Sequence, residues 1–205
     1  MSEILDLRFL TKLAFETLRD PRQGAETALR LAPPRPALWL AFSLMITLSL
    51  MMGEVVTLIA APPEAGPLTG QSALALGLLQ AAFLFLMVFA VTHIGRGFGG
   101  TGTFDGALAL ITWLQFVFFL LQLLQLVLLL IAPPLAAIVT ILAIGLFLWV
   151  LVNFITVLHG FQSVGMVFVM TIVSFIGILF ALSIVLTILG VTLDTGAMPQ
   201  GTVAQ

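Results

Sequence analysis

The sequence predicts an all-α integral membrane protein with five transmembrane helices and an N-terminal amphipathic interfacial segment. The 205 residues are 61% hydrophobic and 8% charged, and their mean hydropathy is +1.25, whereas soluble domains carry roughly 25% charged residues. Five apolar stretches reach the roughly 20 residues that a helix needs to cross a bilayer. These stretches are continuously apolar rather than alternating, which favours helices over a membrane barrel.

The first 35 residues are predicted to form two amphipathic helices on the cytoplasmic surface of the membrane. In the first helix, one apolar strip lies on a different side from the basic residues, although a second apolar strip is also present. The strips are Ile4, Leu7, Ala14 and Leu18, and Leu5, Phe9 and Leu13; the basic residues are Arg8, Lys12 and Arg19. Asp20 precedes Pro21 and Gln23, a pattern typical of an N-cap. A second helix is therefore predicted to run towards Leu31.

The membrane domain is predicted to cover residues 36–191. Its five spans are expected at about 37–60, 71–95, 104–132, 134–158 and 163–190. Clusters of proline, glycine and polar residues separate these spans and predict turns. Residues 192–205 are predicted to form a flexible tail.

The positive charges predict the orientation of the chain in the membrane. Six of the seven Lys and Arg residues precede the first span, and the seventh, Arg96, lies between the second and third spans. Short cytoplasmic loops collect Lys and Arg, so the N-terminus is predicted to be cytoplasmic. Because the number of spans is odd, the C-terminus is predicted to lie outside.

The segment HIGRGFGGTGTFDGALALITW, residues 93–113, contains the most unusual loop of the chain. Its G-x-G-x-x-G spacing suggests a dinucleotide site only after a β-strand, and here a membrane span precedes it. The glycines are instead expected to form a tight turn, and Thr103 to cap the third span. Arg96 is either a topological anchor or, with free backbone amides, a contact for a lipid phosphate. The candidate contact residues for a partner or lipid are Arg96, Gly97, Gly99, Gly100, Thr103 and Asp105.

Two segments resemble the Yip domain family (Ypt-interacting protein, Yip-one type). One is Gly99–Phe104 leading into DGALALITW, and the other is NFITVLHGFQSVGMVFVMTIV, residues 153–173, with its His-Gly pair. The resemblance implies the five-span fold. The leader LRDPRQGAETALRL is similar to that of bacterial members, which implies a bacterial cytoplasmic membrane. The binding of Rab GTPases that eukaryotic members imply is not carried over, because Gln115 and the Val164-Gly165 pair depart from the family pattern.

Polar residues inside the spans form a second set of candidates. Glu54 lies roughly 9 Å from the outer end of the first span, at 1.5 Å per residue. Three glutamines share one face of the third span. The predicted intramembrane polar site consists of Glu54, Gln115, Gln122, Gln125 and Asn153. These residues are interpreted either as hydrogen-bonding contacts between helices or as the lining of a permeation path.

Several classes of site are not predicted. The chain has no cysteine and a net charge of −2, so neither a thiolate site nor nucleic-acid binding is expected. His93 and His159 end the second and fourth spans, without the spacing of a metal site, and are expected at the aqueous interface. No histidine lies deep enough in a span to activate a serine. We therefore predict no cofactor, no metal and no catalytic residue.

The predicted function is that of a non-catalytic scaffold or of an assembly or trafficking factor. Its expected partners are the lipid bilayer and other membrane proteins, and it could form a homo-oligomer. The alternative is a small transporter or channel subunit that uses Glu54 and the glutamine face of the third span.

Overall fold

The computed structural model describes residues 7–60 and 70–188, which form seven helices. They are α1 (Leu7–Arg19), α2 (Pro21–Leu31), α3 (Arg35–Ala60), α4 (Gly70–Gly97), α5 (Phe104–Ile131), α6 (Pro133–His159) and α7 (Val164–Ile188). The described residues contain no strand, and the predicted all-α fold class is confirmed. The tail predicted at 192–205 lies outside the described residues.

Five helices in the described ranges are long and apolar enough to cross a membrane. The corresponding segments are Arg35–Ile59, Gly77–Gly97, Phe104–Ile131, Pro133–His159 and Val164–Ala181. A helix rises 1.5 Å per residue, so segments of this length match the roughly 30 Å hydrocarbon core of a bilayer. The chain is therefore an integral membrane protein with several apolar helices.

Two helix starts follow directly from their local sequence. Asp20 Oδ1 accepts hydrogen bonds from the backbone N–H groups of Arg22 and Gln23, each at 3.1 Å. Thr103 Oγ1 accepts one from the N–H of Gly106, also at 3.1 Å. Both side chains satisfy N–H groups that have no partner inside the helix, so the N-caps predicted at Asp20 and Thr103 are confirmed.

The described residues up to 167 form one compact unit, in which α5 packs against α3, α4 and α6. The buried cluster includes Phe42 of α3, Val88 of α4, Leu108 and Ile111 of α5, and Phe154 of α6. These residues lie towards the end where α3 and α5 begin and α4 and α6 end. We call it the basic end, because all seven Lys and Arg lie on α1, α2, the first residue of α3 and the last turn of α4.

The described residues 168–188 belong to a second unit and form a continuous part of α7. The hydroxyls of Ser174 and Thr187 donate to the carbonyl oxygens of Met170 and Ser183, at 2.7 and 2.8 Å. These hydroxyls are thereby satisfied within the helix, which is suited to surroundings without water.

The N-terminal helices α1 and α2 pack together and against α5 and α6. Leu13 and Ala14, one from each predicted apolar strip, are buried, and Ala25 of α2 joins the central cluster. The indole N–H of Trp113 in α5 donates to Thr17 Oγ1 at 3.1 Å. One face of the helical hairpin that α1 and α2 form is therefore docked on α5 and α6. The exposed face of α1 carries Lys12, Phe15, Glu16 and Arg19.

We expect Gly24→Ala to weaken this docking. A Cβ at Gly24 would lie 2.5 to 2.8 Å from atoms of the Thr17 side chain, so an added methyl group has no room between α1 and α2. We expect a loss of about 1–3 kcal/mol in the free energy of unfolding. The measurement is the midpoint of thermal unfolding in detergent, together with the rate of proteolysis within α1.

Gly53→Ala is the matched control, because a Cβ at Gly53 meets no atom within 4 Å. Alanine in an open helix position should raise stability by roughly 0.5–1 kcal/mol relative to glycine. Equal thermal midpoints for the two variants would contradict the docking described for the hairpin.

Candidate functional site at the glycine loop

Residues 95–105, which we call the glycine loop, contain the end of α4 and the start of α5. α4 ends in a Schellman motif, in which two backbone N–H groups turn back to the last carbonyl oxygens. The N–H of Gly99 donates to Arg96 O and that of Gly100 to Gly95 O, both at 2.9 Å. Gly99 has a φ of +89°, a left-handed conformation that glycine adopts without steric cost. The turn itself therefore requires glycine at position 99.

The end of α6 uses the same motif. Gly160 has a φ of +70° and its N–H donates to Val157 O at 3.3 Å, while the N–H of Phe161 donates to Thr156 O at 3.0 Å. This turn ends α6 immediately after His159, so the histidine is the last residue of the helix. The Gly160 of the His-Gly pair is thus explained by its backbone conformation.

The imidazole of His159 occupies the space left by three glycines of the glycine loop. We call Gly95, Gly100 and Gly102 the glycine cradle. A Cβ at any of these positions would overlap atoms of the imidazole, and at Gly102 it would lie 2.5 Å from Cε1. His159 is accordingly only 3% exposed. The absence of side chains in the glycine cradle is what lets α6 approach the loop this closely.

Hydrogen bonds fix the orientation and tautomer of His159. The N–H of Gly102 donates to Nδ1 at 3.1 Å, and Nε2 lies 3.0 Å from Val91 O. A carbonyl oxygen only accepts, so Nε2 carries the proton and Nδ1 does not. The carbonyl oxygen of His159 also accepts the N–H of Thr101 at 3.3 Å. The imidazole is held neutral, and both ring nitrogens are used in hydrogen bonds.

The two charged residues of the glycine loop serve different contacts. The Nε of Arg96 donates to Gly102 O at 2.7 Å, while the side chain stays at the surface. Asp105 instead faces Arg35 at the start of α3, with 3.2 Å between Oδ1 and Nε. Arg96 therefore stabilises the loop that holds His159, and Asp105 links α5 to α3.

The other four candidate contact residues divide into two groups. Gly100 belongs to the glycine cradle, and Thr103 caps α5. Gly97 and Gly99 face outward, since a Cβ at either would meet no atom within 4 Å. Phe98 lies between them and is 47% exposed. Residues 96–99 consequently form an outward surface, which rests on the buried contacts of residues 100–102.

Two of the intramembrane candidates have hydrogen-bonding partners. Gln125 Nε2 donates to Thr140 Oγ1 at 3.3 Å and thus joins α5 to α6. Asn153, which is 2% exposed, donates through Nδ2 to Trp149 O at 2.8 Å within its own helix. The Gln125 bond supports packing of α5 against α6, as polar residues between membrane helices commonly do, whereas the Asn153 bond satisfies its amide within α6.

The other three candidates lack such partners among the described residues. Gln115 Nε2 and Gln122 Oε1 are buried without a hydrogen bond, which costs about 1–3 kcal/mol for each group. Glu54 is half-buried and forms no ion pair or hydrogen bond with any residue the structure describes. Within the described ranges, the five polar candidates do not bond to one another.

The role of His159 was not predicted from the sequence, which led us to expect both His93 and His159 at the aqueous interface. His93 is exposed and stacks on Phe89, with 3.8 Å between ring centroids. His159 is instead buried, because a loop 57 residues earlier leaves room for it. The combination of a glycine-rich loop and a His-Gly pair in one chain is the signal that could have indicated this contact.

We expect Gly102→Ala to disrupt the contact between the glycine loop and α6. The new methyl group would overlap the His159 imidazole, and overpacking of this kind costs about 1–3 kcal/mol. The midpoint of thermal unfolding in detergent measures the effect. Gly97→Ala, at an open position of the same loop, should leave that midpoint nearly unchanged.

A double-mutant cycle tests the cause of this effect. If the overlap with the imidazole is responsible, His159→Ala should relieve most of the cost of Gly102→Ala, so the two effects should be strongly non-additive. Additive effects of the two substitutions would contradict the proposed contact.

Comparison with known proteins identifies the family of this chain. A family model described as the Yip1 domain matches residues 15–186, a range that runs from α1 into α7. No curated protein and no solved structure matches the chain. The matched range includes both halves of the buried contact, the glycine cradle and His159. The chain belongs to the Yip1 domain family.

Proposed function

We propose that this protein is a non-catalytic scaffold, or an assembly or trafficking factor, that contacts other membrane proteins through the glycine loop. The observation that carries the proposal is the contrast within this loop between the glycines that pack against His159 and an exposed half, residues 96–99. Gly95, Gly100 and Gly102 enclose the imidazole, whereas residues 96–99 are exposed. Membership of a generally non-enzymatic membrane protein family supports the non-catalytic role.

The chemistry of the exposed half suits contact with a protein at the membrane surface. Phe98 offers an aromatic side chain and Arg96 a guanidinium group, two residue types that are enriched in protein interfaces. Gly97 and Gly99 add backbone that a partner can approach closely. Because Arg96 already donates to Gly102 O, its side chain is partly ordered before binding, which lowers the entropy that binding costs.

A cross-linking experiment tests the proposed surface. We expect a photoreactive phenylalanine analogue at position 98 to give a discrete cross-linked product in the native membrane after irradiation. The same analogue at Ile131, which is 77% exposed near the opposite end of α5, controls for random collisions. Gly102→Ala should reduce the yield from position 98, since it displaces the half of the loop that orients Phe98.

Identical products from positions 98 and 131 would contradict the scaffold proposal. So would a failure to form any product at position 98 while the protein is present at normal levels. In either case the transporter alternative would become the first choice.

We further propose that the basic end faces the cytoplasm, in a bacterial inner membrane. All seven Lys and Arg lie on the elements that form this end, and cytoplasmic loops collect these residues. Residues 1–35 would then be cytoplasmic, and the membrane domain of 36–191 would be followed by an external tail, 192–205. A reporter that is active only outside the cytoplasm should work when it is fused after Gln205. Activity of a cytoplasmic reporter at this position, with silence of the external one, would contradict this orientation.

A small transporter or channel subunit is the second candidate function. The buried amide atoms of Gln115 and Gln122, which have no hydrogen-bonding partner in the described structure, favour it, because a polar substrate could satisfy them. We rank it second because Gln125 and Asn153 already have partners.

A further inference from the structure

An exposed ion pair stands at the membrane interface between α3 and α5. Arg35 is the first residue of one candidate span, and Asp105 is the second residue of another. The Arg35 Nε lies 3.2 Å from Asp105 Oδ1, and the two side chains are 61% and 52% exposed. Because helix ends of this kind lie near the phospholipid headgroups, this pair is placed where headgroups can reach it.

Three aromatic rings fix the position of this ion pair. The Arg35 guanidinium lies over the Phe104 ring, 5.8 Å from its centroid. Phe104 packs in turn against Trp39 and Phe85, with centroid distances of 6.2 and 6.4 Å. The guanidinium therefore packs on an apolar surface of aromatic rings, and Asp105 lies at the edge of this surface. It forms no ion pair with any other residue in the described part of the chain.

The surroundings of the ion pair provide a surface for a lipid below the headgroup. Phe85 is 47% exposed and stacks on Trp39, with 6.2 Å between ring centroids. The amphipathic ring of a tryptophan such as Trp39 favours the boundary between headgroups and acyl chains. A phospholipid beside the pair can thus place its polar group against Arg35 and Asp105, and its apolar part against Phe85.

We propose that Arg35 and Asp105 bind the headgroup of a zwitterionic phospholipid that carries a primary ammonium group. The phosphate would contact the Arg35 guanidinium, and the ammonium would donate to the Asp105 carboxylate. This inference goes beyond the scaffold role and does not depend on it. It uses neither the outward surface at residues 96–99 nor the glycine cradle.

Charge complementarity selects this class of lipid. The two protein charges are adjacent and opposite, as are the phosphate and ammonium of a phosphoethanolamine headgroup. An anionic headgroup without an ammonium would leave Asp105 facing added negative charge, which is unfavourable. A quaternary ammonium has no N–H to donate to the carboxylate. An exposed ion pair contributes little to stability, so exchanging partners with a headgroup costs little.

The test uses the full-length chain in nanodiscs that contain equal amounts of phosphatidylethanolamine, phosphatidylcholine and phosphatidylglycerol. After mild detergent extraction, the lipids that remain bound are counted by native mass spectrometry. We expect phosphatidylethanolamine to be retained about five-fold over each of the other two, a ratio that corresponds to one interfacial charge contact. Arg35→Gln combined with Asp105→Asn should abolish this preference.

The matched control removes an ion pair elsewhere. Arg30 and Glu26 of α2 are also 3.2 Å apart and exposed, at 73% and 56%. Arg30→Gln combined with Glu26→Gln should retain the five-fold preference. Loss of the preference in this control, or its absence from the unsubstituted chain, would overturn the proposal.

A single substitution separates lipid selection from misfolding. Asp105→Asn keeps the Arg35 guanidinium but removes the charge that disfavours anionic headgroups. We expect the preference to shift towards phosphatidylglycerol, a gain that an unfolded protein cannot produce. If Asp105→Asn leaves the preference for phosphatidylethanolamine unchanged, the carboxylate does not bind the ammonium and the proposal fails.

Discussion

The basic end of the molecule depends on one buried contact, the imidazole of His159 in the glycine cradle. Through it, α6 meets the end of α4 and the loop before α5, which are 57 to 68 residues away in sequence. Membrane helices gain little from burying apolar surface, because lipid tails are equally apolar. Close backbone approach and satisfied hydrogen bonds must therefore hold them together. His159 provides both, since it fits where glycines lack side chains and uses both ring nitrogens.

The buried residues are likewise concentrated at the basic end. The buried cluster, the docked hairpin of α1 and α2, and the bond between Trp113 and Thr17 all lie towards this end. Towards the other end, α5 has fewer buried residues, and the amides of Gln115 and Gln122 contain atoms without hydrogen bonds. The division suits a protein that presents one defined surface and is otherwise bounded by lipid.

Features encoded by neighbouring residues could be predicted from the sequence, and contacts between distant residues could not. The number of apolar helices and the caps at Asp20 and Thr103 depend on local composition and spacing. The burial of His159 depends on a loop in another part of the chain, so the residue itself looks like any histidine at a helix end. The family resemblance rests on both the glycine loop and the His-Gly pair. It does not indicate that the histidine side chain occupies the space that the glycines leave.

The packing of His159 in the glycine cradle also changes how the glycines and the arginine of this loop should be interpreted. A glycine-rich loop beside an arginine suggests a phosphate site, yet Gly95, Gly100 and Gly102 are explained by the imidazole that they enclose. Arg96 is partly committed to Gly102 O. Residues that are needed to build the loop are thus poor indicators of what binds to it. Exposed side chains outside the glycine cradle, such as Phe98 and the Arg35 and Asp105 pair, are the better candidates for binding.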